Sequence, residues 1–220
     1  MSGKPYNPLD KKHLAESIVR AILNVEVRHL SDTGHLVGAG VYVIYYTGSL
    51  SMYAPVAKKN RENRFEQPIY VGKAIPKGGR KGGLSEDSAA KGSALKDRLG
   101  QHLASITAAS NLSARSFFYQ ALVVDDIWIP LGENMLIEQY KPVWNRVIDG
   151  FGNKDPGAKR RSQRRSPWDL IHPGRLCGEG PNPRTPAEIR ADLKSYFRTG
   201  VVPRRLKAAA SDAGDAHEDE

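Results

Sequence analysis

Between residues 8 and 24 apolar side chains recur at every fourth position, Leu14, Ile18 and Ile22. At 3.6 residues per turn such positions share one face, so PLDKKHLAESIVRAILN predicts an amphipathic helix. The period then changes. VYVIYY, 41–46, crowds β-branched and aromatic residues together and predicts a strand. A long polar connection leads to a second apolar run, PIYVGKA, 68–74. Residues 76–93 are rich in glycine, lysine and serine, offer little to a core, and predict a mobile basic loop. From about Ser93 the helical period returns, with Leu95, Leu99 and Leu103 on one face and Arg98 and His102 together on another. FFYQALVVDD, 117–126, predicts a third strand. Pro130 suits the first turn of a helix that runs through GENMLIEQY and stops before Pro142. Farther on, Thr185, Pro186 and Glu188 mark a capping-box start for a helix carrying Ile189, Leu193 and Phe197.

The order strand, strand, helix, strand, helix predicts a compact α+β unit. Around it the chain divides into a helical arm (1–38), a core (39–146) with an insertion at 47–67, a basic extension (147–207) and a disordered acidic tail (208–220). No internal repeat is present.

Charge adds a partner to this picture. The 220 residues hold 33 Lys and Arg against 24 Asp and Glu, a net +9. Five of the acids lie in the last nine residues, DAGDAHEDE. Setting those aside leaves 33 basic residues against 19 acidic ones, +14 on residues 1–211. A body that basic favours a polyanion, usually nucleic acid. Cys177 is the only cysteine, which excludes a disulfide framework and a cysteine metal cluster. The N-terminus lacks an apolar signal core, and no stretch approaches the ~20 apolar residues of a membrane span. A soluble, cytoplasmic protein is expected.

The chemistry-bearing residues fall in a fixed order. Gly40-Val41-Tyr42 lies on the first strand and Tyr70-Val71-Gly72, followed by Lys73, on the second. Arg98 and His102 share a helix, Glu133 lies early on the next helix, and Asn145 closes KPVWN just after it. This ordered set resembles the GIY-YIG nuclease superfamily, with Val for Ile in both signatures. The signatures span residues 40–145, about half the chain. Tyr42 and Tyr70 stand 28 residues apart rather than about a dozen; such an insertion also occurs in the restriction-enzyme branch. DGFGNKDPGAKRRSQRRSPWDLIHPGR, after Asn145, resembles the same branch, and within it the enzymes that cut CCGCGG. The resemblance implies a three-stranded antiparallel sheet flanked by helices, a Mg²⁺-dependent type II restriction endonuclease cutting both strands of a short GC-rich palindrome in double-stranded DNA, a homodimer on DNA, and a paired DNA methyltransferase. A structure-specific repair or homing nuclease and a non-catalytic DNA-binding module are the alternatives. The sequence shows no appended DNA-binding module, and a dead module has no need of Tyr42, Arg98 and Glu133 together.

Phosphodiester hydrolysis asks for these residue types in its own right. It needs an activated water, a cation on the phosphate and a protonated leaving oxygen. Glu133 is the natural ligand of a Mg²⁺ that keeps several waters and takes a phosphate oxygen. Arg98 can bind the non-bridging oxygens as charge develops. Tyr42 would orient or deprotonate the water, its hydroxyl made more acidic by Lys73 and Arg98, with His102 taking the proton. Lys73 reads as a charge aimed at the scissile phosphate, with Gly72 letting the backbone approach. Simpler readings stand beside these: Tyr42 and Tyr70 as core aromatics, Arg98 and His102 as a solvated face, Glu133 as a first-turn carboxylate answering the helix dipole, and Asn145 as a turn cap. Lys159, Arg160, Arg161, Arg164 and Arg165 form either a phosphate-contacting arm or a solvated basic loop.

Overall fold

The structure, a computed structural model, describes residues 11–75 and 92–203; most of the glycine-rich loop and the acidic tail lie outside the described residues. The fold is α+β, built on a four-stranded antiparallel sheet. Its strands are β1 (Arg28–His29), β2 (Gly40–Tyr46), β3 (Tyr70–Ala74) and β4 (Phe117–Val123), in the order β1-β4-β2-β3. Three of these are the expected strands. The fourth, β1, pairs through only Arg28↔Tyr119 and His29↔Phe118, too short a run for any period to show in the sequence.

β2 is the axis of the molecule. It is hydrogen-bonded on both edges and all seven of its residues are buried. Alternation splits it between two apolar clusters. Val41, Val43 and Tyr45 pack with Ile22, Ile129 and Leu136 beneath α1 (Lys11–Leu23) and α4 (Ile129–Tyr140). Tyr42, Ile44 and Tyr46 pack on the opposite face with Leu95, Leu99 and Phe117, beneath α3 (Ala94–Ala108). Gly132 lets α4 settle close to the sheet, because a Cβ there would lie 3.2 Å from both Ile18 and Val41. That contact draws the next residue, Glu133, toward the strands.

The buried stripe of α3 is Leu95, Leu99, His102 and Ile106, while Leu103 is only partly buried. The 3.6-residue period carries the stripe onto His102, so this histidine is in the core and not on a solvated face. The insertion is less polar in its packing than in its composition. It folds as a short 3₁₀ turn and α2 (Ala54–Asn60), sending Tyr53, Val56 and Ala57 into the core. The Asn60 carboxamide donates to the carbonyls of Tyr46 (3.0 Å) and Gln67 (2.8 Å) and accepts from the Gln67 N–H (2.9 Å), closing the insertion on itself.

Residues beyond 146 belong to the same core. After α5 (Val143–Arg146) come α6 (Pro167–Ile171) and α7 (Pro186–Thr199), and Phe151, Trp168, Ile171, Ile189 and Leu193 share one cluster with Tyr42 and Phe117. The capping box on α7 forms as expected: Thr185 Oγ1 accepts from the Glu188 N–H, and the Thr185 N–H donates to the Glu188 carboxylate.

A buried polar relay joins insertion, core and extension. Trp144 Nε1 donates to the Tyr53 hydroxyl (2.9 Å), which donates to His172 Nε2 (2.6 Å), while His172 Nδ1 donates to Asn111 Oδ1 (2.9 Å). Every donor is used once only if His172 is neutral. Burial, aided by Arg175 and Arg190, pushes His172 down to about 3. Because the unfolded histidine binds a proton near pH 6.5, the stabilisation is complete above that pH and is lost as pH falls toward 3. We expect the urea midpoint to fall over this window, with a saturating loss on the order of 5 kcal/mol. His172→Gln should flatten that acid limb; an unchanged slope would remove His172 from its cause.

Candidate active site

The site begins with strand register. β2 and β3 pair Val41↔Lys73, Tyr42↔Gly72 and Val43↔Val71, and directly opposed residues project to the same face. Tyr42 therefore lies over Gly72. A Cβ on Gly72 would stand 2.3 Å from the Tyr42 hydroxyl oxygen and 2.9 Å from Cε1 of Tyr70. The space is taken by the phenol, so Gly72 serves the packing of Tyr42.

Tyr42 is fully buried, and its hydroxyl pairs with His102 Nε2 at 2.7 Å. Burial drives the Tyr42 hydroxyl well above its ordinary value; Tyr70 pushes the same way, and Arg98 opposes them without reversing the shift. The expected acidification by cations is thus outweighed by desolvation. The imidazole moves the other way. Burial first, then Arg98 and Arg175, hold His102 well below 6.5. A neutral imidazole facing a protonated phenol accepts its hydrogen bond, so at rest the proton stays on Tyr42 and Nε2 is its acceptor.

In front of this pair runs a cleft lined by Tyr70, Lys73, Arg98 and Glu133, with Lys96, Asp97 and Lys154 also on its walls. Tyr70 reaches the cleft while Tyr42 lies behind it, the two rings 6.3 Å apart. Lys73 Nζ donates to Glu133 Oε2 at 2.6 Å. Glu133 is the fifth residue of α4, beyond the first turn in which a helix dipole acts strongly, so the dipole does not account for it. Arg98 is partly buried. Its Nη2 donates to the Gly152 carbonyl at 2.9 Å and its Nη1 to Gln101 Oε1 at 3.1 Å.

Asn145 stands apart from the cleft chemistry. Its Oδ1 accepts from the Val71 N–H and its Nδ2 donates to the Val71 carbonyl, both at 2.8 Å. The side chain imitates a neighbouring strand on the outer edge of β3, and the Trp144 N–H extends the pairing to the Ile69 carbonyl. Asn145 therefore fixes the strand that carries Tyr70 and Lys73. The basic cluster also divides. Arg165 Nε and Arg161 Nη1 turn back to the carbonyls of Gly178 and Cys177, whereas Lys159, Arg160 and Arg164 are exposed.

Two further residues of the site come from the extension. Phe151 stacks on His102 with centroids 4.4 Å apart and rings within 16° of parallel, and meets Tyr70 edge-on at 4.9 Å. Gly152 receives Arg98 and leaves no room for a side chain: a Cβ would lie 2.9 Å from Arg98 Nη2. The glycines flanking Phe151 are their only trace in the sequence.

Among the described residues no three His, Cys, Asp or Glu side chains gather as a metal cluster. A divalent ion here would rest on Glu133, with water and a phosphate oxygen completing its shell. One carboxylate at a cleft wall suits a hard divalent cation that keeps several of its waters.

A tyrosine pair on adjacent strands, a helix carrying arginine and histidine, and a carboxylate on the following helix thus meet around one cleft. The family described as Eco29kI GIY-YIG domain matches residues 35–197, and the chain belongs to it. It is a restriction-endonuclease-type nuclease whose substrate is DNA and whose chemistry calls for a divalent metal ion. No curated protein matches the chain. Among the described residues no helix is long and apolar enough to cross a membrane.

Gly72→Ala tests the packing at the centre of the site. It forces the Tyr42 hydroxyl from its place, and we expect nuclease activity to fall at least tenfold while the circular dichroism of the folded protein is retained. Full activity would show that the close approach is not needed.

Proposed function

We propose that this protein is a type II restriction endonuclease that hydrolyses both strands of a short palindromic site in double-stranded DNA, using Mg²⁺, with CCGCGG as the first sequence to test. The observation that carries the reading is that Tyr70, Lys73, Arg98 and Glu133 line one cleft with the Tyr42–His102 pair directly behind it. On this reading the scissile phosphate enters the cleft and Arg98 takes its non-bridging oxygens, with Gly152 holding the guanidinium in place. The attacking water meets the tyrosine pair, and its proton passes through the Tyr42 hydroxyl to Nε2 of the neutral His102. Glu133 would hold Mg²⁺, which supplies positive charge against the phosphate. Lys73 supports Glu133, and Asn145 keeps β3 in register. Exposed Arg160 and Arg164 contact neighbouring phosphates, with Arg161 and Arg165 holding the segment that presents them. The enzyme acts in the cytoplasm beside a DNA methyltransferase that protects the host's own sites.

Incubation with plasmid DNA and Mg²⁺, followed by sequencing of the ends, should give defined double-strand cuts. Glu133→Gln should abolish cutting and leave DNA affinity largely intact. Tyr42→Phe keeps the ring and removes the hydroxyl, so the rate should drop about 10²- to 10⁴-fold, the range of general acid–base catalysis. Either variant cutting at the wild-type rate would overturn its assigned role.

A palindrome presents two equivalent phosphates related by a two-fold axis, and each chain holds one site. The economical solution is two protomers on the DNA sharing that axis, with the 47–67 insertion and the extension supplying recognition and dimer surfaces. Sedimentation with a cognate duplex should give two chains per duplex. A one-to-one complex that cuts both strands in one encounter would exclude this assembly.

A further inference from the structure

We propose that Arg175 is a positioning residue of the nuclease site, holding the 150–153 loop against α3 so that Gly152 and Phe151 fix Arg98 and His102. The inference rests on the reading of Arg98 and His102 as the groups that meet phosphate and proton.

Arg175 follows α6 and its side chain is only 9% exposed. All five of its N–H donors are used. Nε donates to Asp169 Oδ1 (2.6 Å); Nη2 donates to Asp169 Oδ2 (3.2 Å) and the Gly150 carbonyl (2.5 Å); Nη1 donates to the Phe151 carbonyl (2.9 Å) and Ser105 Oγ (3.1 Å). The guanidinium also lies over the Trp168 ring, 4.4 Å from its centroid. Asp169 is fixed in turn by Ser166 Oγ at 2.6 Å. One planar group thus clamps three pieces of chain: α6, the loop, and α3 one turn beyond His102.

What the clamp holds is the site itself. The two carbonyls it grips belong to Gly150 and Phe151, immediately before Gly152, whose carbonyl receives Arg98. Between them projects the Phe151 ring that lies flat on His102. Gly150 is glycine for the same reason, with φ of +106° and a Cβ position 2.1 Å from Ser166 Oγ. A buried Arg–Asp pair is a weak source of net stability, since desolvation offsets most of the attraction. Its geometric effect is the larger one, because five bonds from a rigid fork leave the loop a single seat.

Arg175→Lys keeps the charge and loses the fork, and is the variant to test. We expect single-turnover cleavage with Mg²⁺ to slow about 10- to 100-fold, the scale of an ångström-sized misplacement, with the Kd for the same duplex within threefold of wild type. Gly152→Ala, which presses on Arg98 and on the Tyr70 hydroxyl with Arg175 intact, should lose rate in the same way. In an Arg98→Lys background, Arg175→Lys should cost clearly less than it does alone, because the part of its effect that runs through Arg98 is already lost. Full-rate cleavage by Arg175→Lys overturns the proposal, as does a Kd that weakens in step with the rate. If Arg98→Lys is slow and Arg175→Lys multiplies that loss independently, positioning fails while the catalytic reading stands. If Arg98→Lys itself cuts at full rate, the catalytic reading fails and takes the proposal with it.

Discussion

The site depends on one missing side chain. β2 and β3 bring Tyr42 opposite Gly72, and the phenol hydroxyl occupies the space where any other residue would place its Cβ. From that seat the hydroxyl reaches His102 across sixty residues of sequence, and α3 must lie at a fixed distance from the sheet to meet it. The helix that carries His102 also carries Arg98 one turn earlier, so placing the imidazole places the guanidinium. A shift of register by one residue would turn Tyr42 to the other face of the sheet, beneath α1 and α4, and dissolve the arrangement.

Burial then tunes the groups that strand pairing assembles. Desolvation disfavours the charged form of both partners, raising the phenol and lowering the imidazole. The pair therefore rests neutral on both sides, with the proton on tyrosine and Nε2 of histidine as its acceptor. That acceptor is kept free of solvent protons by burial and by two arginines, one from the signature helix and one from the extension. The extension is thus part of the electrostatics of the site as well as of its packing.

Much of this was legible in the chain, and the rest was hidden for identifiable reasons. β2, β3 and β4 announced themselves by β-branched and aromatic runs, and α4 and α7 by their proline starts. Tyr42, Tyr70, Arg98, His102 and Glu133 were visible as an ordered set, and the structure brings them to one place. Their surroundings were not visible. The burial of His102 depends on how the 3.6-residue period drifts along α3, which a reading of leucines alone misses. Asn145 looked like a turn residue because its partner, the backbone of Val71, is seventy-four residues away and carries no sequence signal. α2 hides in a polar insertion because only Tyr53, Val56, Ala57 and the polar Asn60 are buried there. Phe151, Gly152 and Arg175 lie in loops, where position is set by tertiary contact and no periodicity exists to read.

Lys73 has a partner in the structure that its sequence context did not announce. A cation beside the cleft was expected, aimed at phosphate; it lies instead on Glu133 at 2.6 Å. The two roles are compatible on energetic grounds. With side chains 36% and 16% exposed, the pair is partly solvated through its lysine, and its net contribution is on the order of 1 kcal/mol rather than that of a dry ion pair. A carboxylate left alone in this cleft would repel an arriving phosphate, whereas one covered by lysine does not. On the proposed reading, with Glu133 holding a divalent cation, the ammonium would lose its partner at a similarly small cost and would be released toward the phosphate. A weak ion pair suits that exchange better than a strong one, since a strong pair would hold the carboxylate against the metal and the lysine against the DNA.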